Sequence, residues 1–461
     1  MAREFDYVVI GGGSAGYAAA STAREKFERV AIIDDAAELG GLCILRGCMP
    51  SKTVIYSAEV LHLARNAKLF GLEIPEAKPN MPEILKRKRE MVYEFQSYRK
   101  GQLESDKYTL FRDRASFVGE KTVKLAKSGE EITSRYFMIA TGSVVNHPPI
   151  PGLRESDPWS SDDILELDHL PKSVTILGGG VIACEMAQYL QRMGSKVTMV
   201  QRSPLILKDH TEEASREIMK VFREEGIDLY TDTHCTEVSK NGDGYTVCFE
   251  HEGENKRVTS ERLVNALGRK ANVDSLNLDV AGVKLNHNRN IDANDFCQTS
   301  NPCIYAAGDV SGPFEIVHLA VMQGELAAKH ATGVACTPID YRHRTSVTFT
   351  DPQVASVGPL PHEPECQDLD FIESIYPFND HGKSILMHAD HGYVRIWAER
   401  PSGRLLGAEC VGKDAGELIH SMAVAVTMGA TAEQLLKVQW YHPTLSEIWT
   451  YPLEEILNQC E

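Results

Sequence analysis

Long apolar runs and positive charge are both scarce in this chain. No apolar stretch reaches the about 18 residues of a membrane-spanning helix, and no positively charged leader precedes a short apolar run. The 461 residues include 48 Lys and Arg against 65 Asp and Glu, a formal net charge of −17, whereas nucleic-acid binders display basic surfaces. We therefore expect a soluble, cytoplasmic protein that binds neither membranes nor nucleic acids.

Closely spaced cysteines are also few. The eleven cysteines are odd in number and spread along the chain, which excludes the disulfide framework of a small secreted domain. For Cys460 a surface thiol is the simplest interpretation. Eight others are expected to be small, buried or half-buried side chains in a reducing compartment, namely Cys184, Cys235, Cys248, Cys297, Cys303, Cys336, Cys366 and Cys410.

The length of the chain predicts several domains. A chain of 461 residues exceeds what one hydrophobic core usually supports and suggests about two to four domains. Residues 148–152, with three prolines and a glycine, are typical of a linker. The charged run at residues 86–90 predicts a solvated helix face rather than a binding patch. From about Tyr341 onward, alternating strands followed by helices indicate an α+β domain.

Near the N-terminal end, the pattern is that of a dinucleotide-binding βαβ unit. A buried strand at residues 7–10 leads directly into the glycine-rich turn 11–16, and a second strand, from Val30 to Ile33, ends at an acid 23 residues after the first glycine. Such glycines let the backbone approach a pyrophosphate, the following helix N-terminus stabilises its charge, and the acid accepts hydrogen bonds from a ribose. The expected contacts are Gly11, Gly13, Gly16 and Asp34.

The same unit occurs a second time. A strand at residues 174–177 leads into Gly178, Gly179 and Gly180, and the following helix gives way to a strand at residues 197–200. One glycine turn alone is weak evidence, but two in the same context imply two bound dinucleotides. We assign Gly178 and Gly180 to the second one.

Two cysteines, Cys43 and Cys48, stand five residues apart just after the first unit. In a regular helix such residues have Cα atoms about 8.6 Å apart, which exceeds the about 7 Å limit for a disulfide. A bridge would need a distorted turn, and Gly47 and Pro50 are residues that can supply one. The residues alone leave open two unrelated thiols in a reducing cytosol.

The run at residues 40–52, GGLCILRGCMPSK, resembles the redox-active segment of the class I pyridine nucleotide-disulfide oxidoreductases. These flavoenzymes include dihydrolipoamide dehydrogenase, glutathione reductase, mycothione reductase and mercuric reductase. Similar motifs cover nearly the whole chain. The resemblance implies an α/β fold with two Rossmann-like domains, for FAD and NAD(P), and an α+β C-terminal dimerisation domain that forms a homodimer. The expected domains are 1–148 (FAD, first part), 149–270 (NAD(P)), 271–338 (FAD, second part) and 339–461 (dimerisation).

The resemblance also assigns residues around FAD. The N-terminal turn would bind the ADP half, Lys52 would lie beside the isoalloxazine, and Asp309 would bind the ribityl region. A buried Asp needs donors such as cofactor hydroxyls, although an Asp after a strand can instead cap a helix. Two more segments resemble those of the family. Residues 140–143, at the end of a strand, add Thr141 and Gly142 as cofactor contacts, and residues 266–269, where the chain returns to the FAD domain, add Gly268.

The second turn predicts the type of nicotinamide cofactor. An NAD site normally places an acid 23 residues after the first glycine, but that position holds Gln201. Arg202 and Lys208 match the cations that clamp the 2′-phosphate in NADPH-dependent relatives, and a guanidinium suits phosphate. An ordinary surface arginine is the alternative. We therefore expect NADPH rather than NADH.

Two further positions by the nicotinamide follow from the resemblance. Glu185 matches the acid that pairs with the lysine of the redox segment, here Lys52. Val181 replaces the tyrosine that gates this site in glutathione reductase, and in this respect the chain is more similar to dihydrolipoamide dehydrogenase.

Near the C-terminal end, His442 and Glu447 match the family's catalytic dyad. The histidine would shuttle protons to the thiols of the other subunit, for which an imidazole has a suitable pKa, and the glutamate would orient its ring. Electrons would pass from NADPH through FAD to Cys48, the flavin-side thiol, while Cys43 would attack an external disulfide. No metal site is expected.

The substrate stays open. A dihydrolipoamide dehydrogenase-like enzyme acting on a small disulfide, a dithiol or a lipoyl or thiol protein is favoured, although Arg46, Trp440 and the NADPH-like turn depart from that pattern. A mercuric reductase is an alternative, but its usual terminal cysteine pair is reduced here to Cys460. A glutathione or mycothione type is less favoured because Ser21 replaces the arginine that binds glutathione. A non-catalytic flavin-binding protein would not need the thiols and the dyad.

Overall fold

Short apolar strands alternate with helices along most of the chain, which is the pattern of an α/β protein. The computed structural model describes residues 2–242 and 244–460. The strands are β1 (Arg3–Ile10), β2 (Val30–Ile33), β3 (Thr109–Phe111), β4 (Ala115–Gly119), β5 (Thr122–Leu125), β6 (Glu131–Ile139), β7 (Ser143–Val145), β8 (Ser173–Leu177), β9 (Lys196–Val200), β10 (Asp228–Tyr230), β11 (His234–Asn241), β12 (Gly244–His251), β13 (Glu254–Ser260), β14 (Arg262–Asn265), β15 (Arg269–Ala271), β16 (Ile304–Ala306), β17 (Thr345–Thr348), β18 (Gln353–Val357), β19 (Phe371–Pro377), β20 (Tyr393–Glu399) and β21 (Leu405–Gly412).

The helices vary widely in length. They are α1 (Ser14–Ala23), α2 (Gly41–Leu45), α3 (Cys48–Arg65), α4 (Met81–Leu103), α5 (Ser161–Ile164), α6 (Val181–Met193), α7 (Glu212–Glu224), α8 (Val317–Ala331), α9 (Gly382–Leu386), α10 (Ala415–Thr427), α11 (Ala432–Leu436) and α12 (Thr450–Cys460). Short 3-10 helices cover Ala67–Phe70, Leu278–Ala281, Tyr341–His343, Pro364–Cys366, Phe378–Asp380 and Leu445–Trp449. Among the described residues, no helix is both long and apolar enough to cross a membrane.

The first of two compact units comprises residues 2–53, 85–146 and 268–339, so it is discontinuous in sequence. Its main sheet has the order β3-β2-β1-β6-β5-β4, with β16 also paired to β6. Strands β3, β2, β1, β6 and β16 run parallel, whereas β4 and β5 are antiparallel additions. Tyr7, Val8 and Val9 of β1 are fully buried, because a central parallel strand is covered on both faces.

The second unit comprises residues 54–84, 147–242, 244–267 and 340–460. It contains a parallel sheet of order β10-β9-β8-β14 and an antiparallel sheet of β11, β12 and β13. Its C-terminal part is an antiparallel sheet of order β17-β18-β21-β20-β19, against which α10 and α12 pack. The core beside this sheet includes the fully buried indoles of Trp397 and Trp449.

The two parallel sheets use their first glycines in the same way. Gly11 has φ +102° and Gly178 has φ +116°, a conformation that favours glycine. A Cβ atom on either residue would lie 2.3 Å from a carbonyl oxygen, that of Ala140 or that of Ala266 respectively. Each glycine therefore lets the turn after its own strand pass close to the end of the neighbouring strand in the sheet, which is β6 for Gly11 and β14 for Gly178. The fold is α/β with two Rossmann-like sheets and an α+β C-terminal domain, as predicted; the domain boundaries stay a prediction.

The expected solvated face on helix α4 is confirmed for four of the five charged residues at 86–90, which are exposed. The exception is Lys88, which is only 3% exposed. Met81, Leu85 and Lys88 lie on the same side of α4, where the helix is buried. A lysine can occupy such a position when its aliphatic stem packs and its ammonium finds partners.

Candidate active site

The redox segment begins with a close backbone contact inside the first unit. Gly41, the first residue of α2, has φ +77°, and a Cβ atom on it would lie 2.5 Å from the Cα atom of Gly13. Gly13 is the N-cap residue of α1. The two glycines therefore bring the cysteine-bearing helix α2 against the turn that starts the first Rossmann-like sheet.

Cys43 and Cys48 are brought together by a break between two helices. Helix α2 ends at Leu45 and α3 begins at Cys48, with Arg46 in a non-helical conformation (φ −141°, ψ 0°). The two thiol side chains form a hydrogen bond, which together with burial raises the pKa of Cys43, while the ammonium of Lys52 opposes this rise. Cys48 stands at the N-terminus of α3, where the helix dipole favours a thiolate.

The expected distorted turn exists, but only one of the two predicted residues makes it. Gly47 lies in the break, and a Cβ atom on it would approach the carbonyl oxygen of Leu42 to 3.1 Å. Pro50 lies instead in the first turn of α3. Proline fits there because the first backbone N–H groups of a helix have no acceptor within the helix.

Asp34 lies where an acid of a dinucleotide turn is expected. Its Oδ2 accepts a hydrogen bond of 2.7 Å from the backbone N–H of Gly12, and its Oδ1 accepts one of 2.9 Å from Ala36. These bonds fix the carboxylate beside the turn. Each carboxylate oxygen has a further lone pair for a ribose hydroxyl.

Asp309 is part of a polar network in the first unit that includes two residues not predicted from sequence. Ser143 Oγ donates a 2.6 Å hydrogen bond to Asp309 Oδ2, and Arg269 Nε donates one of 2.8 Å to the same hydroxyl. The pKa of the neighbouring Glu315 carboxyl is raised by burial and by the charge of Asp309. The helix-cap alternative for Asp309 is wrong, because the next helix starts at Val317 with Ile316 as its cap residue.

The other predicted contacts of the first unit lie beside this network. Thr141 Oγ1 donates a 2.8 Å hydrogen bond to the carbonyl of Asn272, and Asn272 N–H donates to the carbonyl of Gly142 at 2.9 Å. Gly142 and Gly268 both have positive φ, +67° and +96°. The short ribbon of β7 and β15 thus begins next to the end of β6, where parallel sheets commonly bind ligands.

In the second glycine turn, Gly180 is the N-cap residue of α6 and Gln201 takes the place of the acid. The Gln201 amide donates a 3.3 Å hydrogen bond to the carbonyl of Leu205. Arg202 and Lys208 are exposed, and neither forms a hydrogen bond or ion pair through its side chain with any residue in 2–242 or 244–460. Both cations are therefore available to an anion from solution.

Glu185 is a buried acid on helix α6 of the second unit. It is 4% exposed, and its Oε1 accepts a 3.0 Å hydrogen bond from the backbone N–H of Phe349. Gln188, one turn further along, exchanges two 2.7 Å hydrogen bonds with the backbone of Asp351. Lys52 belongs to the first unit, so its pairing with Glu185 stays a prediction. Val181, at the start of the same helix, is 40% exposed.

His442 and Glu447 lie together in the second unit. His442 Nδ1 is 3.0 Å from both carboxylate oxygens of Glu447. The imidazole side chain is 78% exposed, whereas the carboxylate side chain is 10% exposed. A third residue, His381, was not predicted: its Nε2 lies 3.4 Å from Glu447 Oε1.

A cavity of about 370 Å³ lies along helix α1 in the first unit. Arg99 of α4 lines it, with its guanidinium 4.1 Å from the ring centroid of Tyr17. Its Nε is buried and forms no hydrogen bond with the part of the chain that the structure describes. Burial lowers the pKa of Arg99, an effect opposed by Tyr17 and by Cys43. Ser14, which lines the cavity, directly follows Gly13, which contacts Gly41 of the redox segment. The lining of the cavity comprises Ser14, Tyr17, Ala18, Ser21, Thr22, Glu25, Arg99, Val321, Glu325 and Lys329.

The remaining cysteines follow the expectation of buried or half-buried side chains. Cys460 departs from the expected surface thiol: it is half-buried and packs against the core of the C-terminal sheet, near Gly403. Among residues 2–242 and 244–460, no group of three or more His, Cys, Asp or Glu side chains could hold a metal ion.

Comparison with known proteins defines the class of enzyme. Residues 5–324 match the family described as pyridine nucleotide-disulphide oxidoreductase, and residues 345–452 match its dimerisation domain. A mercuric reductase of Staphylococcus aureus is 33% identical over 433 residues, which cover 94% of this chain and 79% of the relative. A dihydrolipoyl dehydrogenase of Chlamydia pneumoniae is 33% identical over 451 residues, 97% of this chain and 96% of the relative.

Solved structures have the same fold. The crystal structure of LpdA from Mycobacterium tuberculosis has a TM-score of 0.88 at 26% identity and covers 98% of this chain and 99% of that one. RclA from Escherichia coli, described as an HOCl-induced flavoprotein disulfide reductase, has a TM-score of 0.86 at 24% identity, covering 98% of this chain and 99% of its own. At this level of identity, the similarity to RclA shows only that the two proteins have the same fold.

These findings identify a flavin-dependent oxidoreductase. The chain belongs to the class I pyridine nucleotide-disulfide oxidoreductase family. It is an FAD-dependent enzyme that uses NAD(P)H, and its dimerisation domain indicates a homodimer. The structure fits these cofactors: a Cβ atom on Gly180, the N-cap residue of α6, would stand in open space, so the helix N-terminus is open to a pyrophosphate.

Proposed function

We propose that the chain is an NADPH-preferring, dihydrolipoamide dehydrogenase-like disulfide reductase in which Cys43, Cys48, His442 and Glu447 carry the thiol chemistry. One observation carries the proposal: a directly interacting pair of thiols at the break between α2 and α3 occurs together with an exposed imidazole anchored by a nearly buried carboxylate. A protein that only bound flavin would need neither arrangement. A cytoplasmic location is part of the proposal and is testable by cell fractionation.

When bound, FAD supplies the transfer of two electrons between NAD(P)H and the dithiol. The first glycine turn, with Gly11, Gly13, Gly16 and Asp34, would hold the ADP half of FAD, and Asp309 would accept hydrogen bonds from the ribityl hydroxyls. Asp309 is suited to this because Ser143 holds its Oδ2 while Oδ1 forms no hydrogen bond within residues 2–242 and 244–460. Lys52, Thr141, Gly142 and Gly268 would complete the site.

The two thiols are suited to different roles. Cys48 lies at the N-terminus of α3, where the dipole stabilises a thiolate. Cys43, in contrast, has its thiol pKa raised by the Cys48 hydrogen bond and by burial. An ordinary thiol is mostly protonated at neutral pH and needs a base before it attacks a disulfide. We assign the attack to Cys43 and the electron transfer to Cys48.

The base is His442 of the partner subunit. Glu447 lies against Nδ1 and accepts the proton of that nitrogen, which leaves Nε2 free to accept a proton from a thiol and return it to the leaving group. The 78% exposure of the imidazole within one chain fits a group that acts on the other chain of a homodimer. Glu447 stabilises the imidazolium that forms.

The preference for NADPH is inferred from two exposed cations whose side chains have no partner within residues 2–242 and 244–460. Arg202 and Lys208 flank the loop after β9, where an NAD-specific turn would place an acid beside the ribose. A 2′-phosphate would give both cations a charge-assisted partner. Gly178, Gly180 and Glu185 would contact the remainder of the nucleotide.

The cavity along α1 is the proposed entrance for the disulfide. The lining carries charges of both signs, Arg99 and Lys329 against Glu25 and Glu325, so its charge does not favour an acidic substrate over a basic one. Ser21, at the position of the glutathione-binding arginine, lines the same cavity. The proposed class of substrate is a small disulfide or dithiol, or a lipoyl or thiol protein.

The proposal is tested by assaying a panel of acidic, neutral and basic disulfides with NADPH and with NADH. We expect turnover of disulfides with NADPH, and in an anaerobic titration the Cys43–Cys48 disulfide should take up two electrons and become the dithiol before the flavin bleaches. Bleaching of flavin alone, with no disulfide turned over, would refute a disulfide reductase.

Mercuric reductase is the second candidate, because relatives with that name are 33% identical to this chain. Cys460, the thiol near the end of the chain, packs half-buried against the C-terminal core instead of forming part of a terminal pair. We therefore expect NADPH oxidation to depend on disulfide and not on buffered Hg(II). The reverse dependence would favour the second candidate.

A further inference from the structure

His381 is a fully buried imidazole behind the His442–Glu447 pair. It is 0% exposed and caps helix α9, immediately after the 3-10 helix Phe378–Asp380. Its Nδ1 lies 2.9 Å from Ser384 Oγ, and its Nε2 lies 3.4 Å from Glu447 Oε1. The proposed roles of Cys43, Cys48, His442 and Glu447 leave this imidazole unexplained.

The surroundings of His381 determine which of its nitrogens carries the proton. Nε2 forms no hydrogen bond in the described part of the chain, and the charged atom facing it is a carboxylate oxygen, which can only accept. A lone pair on Nε2 would repel that oxygen, whereas an N–H would be attracted to it. Ser384 completes this arrangement because its hydroxyl can donate to Nδ1. The favoured form is therefore the neutral ring with its proton on Nε2.

The ring also stays neutral. Burial lowers the pKa of His381, and His442 lowers it further, while Glu447 opposes both. The other titratable groups on this side are Tyr451 of α12, whose ring is 6.2 Å from that of His381, and Tyr376, which stacks on Tyr451 and hydrogen-bonds Asp380. A neutral imidazole can donate one hydrogen bond without adding a charge that competes with His442.

Glu447 needs such a second donor. Its side chain is 10% exposed, and its only hydrogen-bond partner in residues 2–242 and 244–460 is His442 Nδ1. A nearly buried carboxylate stays ionised only when donors replace water. The contact at 3.4 Å is slightly longer than the usual N–H···O range of about 2.7–3.2 Å, and a small rotation of the carboxylate closes it.

We propose that His381 is a positioning residue whose Nε2–H, oriented by Ser384, holds the Glu447 carboxylate in place behind His442. This inference rests on the proposed function of His442 and Glu447 in disulfide exchange. Through Glu447, His381 would keep the dyad competent to accept and release the thiol proton. His381 itself touches neither substrate nor cofactor.

Two substitutions separate this role from packing. Gln at position 381 places an amide N–H near the position of the imidazole Nε2, whereas Asn places its amide near Nδ1. His381→Gln should therefore retain the donor to Glu447, and His381→Asn should lose it. Without that donor, the charged form of the His442–Glu447 dyad is less well stabilised. Tyr451→Phe, which keeps the adjacent ring, serves as the packing control.

The measurement is the pH profile of disulfide turnover, with NADPH-dependent flavin reduction and Tm recorded for every variant. For His381→Asn we expect the acidic limb of the turnover profile to move up by about one pH unit. This limb belongs to the coupled dyad and not to one residue. At a pH below the limb, the shift corresponds to about a tenfold loss of disulfide turnover. His381→Gln and Tyr451→Phe should keep the wild-type profile, and flavin reduction should be unchanged in all.

A His381→Asn profile that coincides with wild type, or equal losses in His381→Asn and His381→Gln, would overturn the inference. His442→Ala, assayed in parallel, tests the proposed function on which the inference rests. If this variant retains disulfide turnover, the proposed function itself is wrong. Should His381→Asn not fold, ¹⁵N NMR of the histidine-labelled wild-type holoenzyme decides. We expect His381 protonated on Nε2, and a proton on Nδ1 or a charged ring would refute the inference.

Discussion

Ser143 Oγ lies 2.6 Å from Asp309 Oδ2, and this contact joins the start of β7 to the turn after β16. Because the same hydroxyl accepts a hydrogen bond from Arg269, it is already oriented toward the carboxylate. Asp309 therefore presents its free oxygen in a fixed direction before any ligand binds. Fixed acceptors of this kind reduce the entropy that is lost when a flexible cofactor is ordered.

This relationship predicts the retention of FAD. Asp309→Asn removes the charge and one acceptor, and a hydrogen bond to a charged group contributes about 1.5–3 kcal/mol, so we expect FAD affinity to fall by about tenfold or more. Asp279→Asn, an exposed acid in the same unit, is the matched control and should bind FAD normally. The measurement is the flavin-to-protein ratio after dialysis against a range of free FAD. An unchanged flavin-to-protein ratio in Asp309→Asn would show that Asp309 does not contact FAD.

The two cysteines should differ when each is replaced alone. Cys43→Ser leaves the Cys48 sulfur at the N-terminus of α3 beside Lys52, where a thiolate is stabilised. We expect this variant to show a long-wavelength thiolate-to-flavin absorbance, and Cys48→Ser to lack it. Visible spectra recorded across a pH titration check the assignment. A band found only in Cys48→Ser would show that Cys43, and not Cys48, is the flavin-side thiol.

Much of the fold could be predicted because its signals are local. Strand β2 has the predicted bounds, and both glycine turns start helices as their sequences indicate. The break between α2 and α3 was also expected at Gly47, since glycine favours such turns. Lys88 was mispredicted because a charged run in sequence does not show which side of a helix packs.

The supporting residues of the site were harder to predict. Ser143 and Arg269 directly follow predicted contacts, Gly142 and Gly268, so a local signal existed for them. His381 had none, because its contact with Glu447 joins two segments far apart in sequence. The pairing of such residues depends on the packing of the C-terminal sheet and its helices, which a periodicity in one segment cannot specify.

Cofactor choice should depend on Arg202. Arg202→Glu replaces a phosphate partner by a repelling charge, and a charge-assisted hydrogen bond contributes about 1.5–3 kcal/mol. We expect kcat/KM for NADPH to fall by about tenfold or more, with a smaller effect on NADH. Arg257→Glu, an exposed arginine in the same unit, should change neither value. Equal losses with both cofactors, or an unchanged NADPH rate, would contradict the assignment.

Replacement of His442 should slow the turnover of disulfide but not the reduction of flavin by NADPH. His442→Ala should bind FAD normally and accept electrons from NADPH, because the imidazole is proposed to act only on the thiols. Its turnover of disulfide should fall by about 100-fold or more, within the usual 10²–10⁴ range for a positioned acid–base group. Stopped-flow flavin reduction and steady-state disulfide assays measure the two halves separately.

Activity should also require both subunits, since the proposed base serves the dithiol of the partner chain. His442→Ala and Cys43→Ser are each expected to be inactive, but a heterodimer of the two has one site with an intact dithiol and an intact histidine. Mixing the variants under conditions of subunit exchange should therefore restore part of the disulfide turnover. Exchange can be verified with differently tagged chains. If tagged heterodimers form and recover no activity, His442 does not act across the interface, and a base for Cys43 must be sought within its own chain.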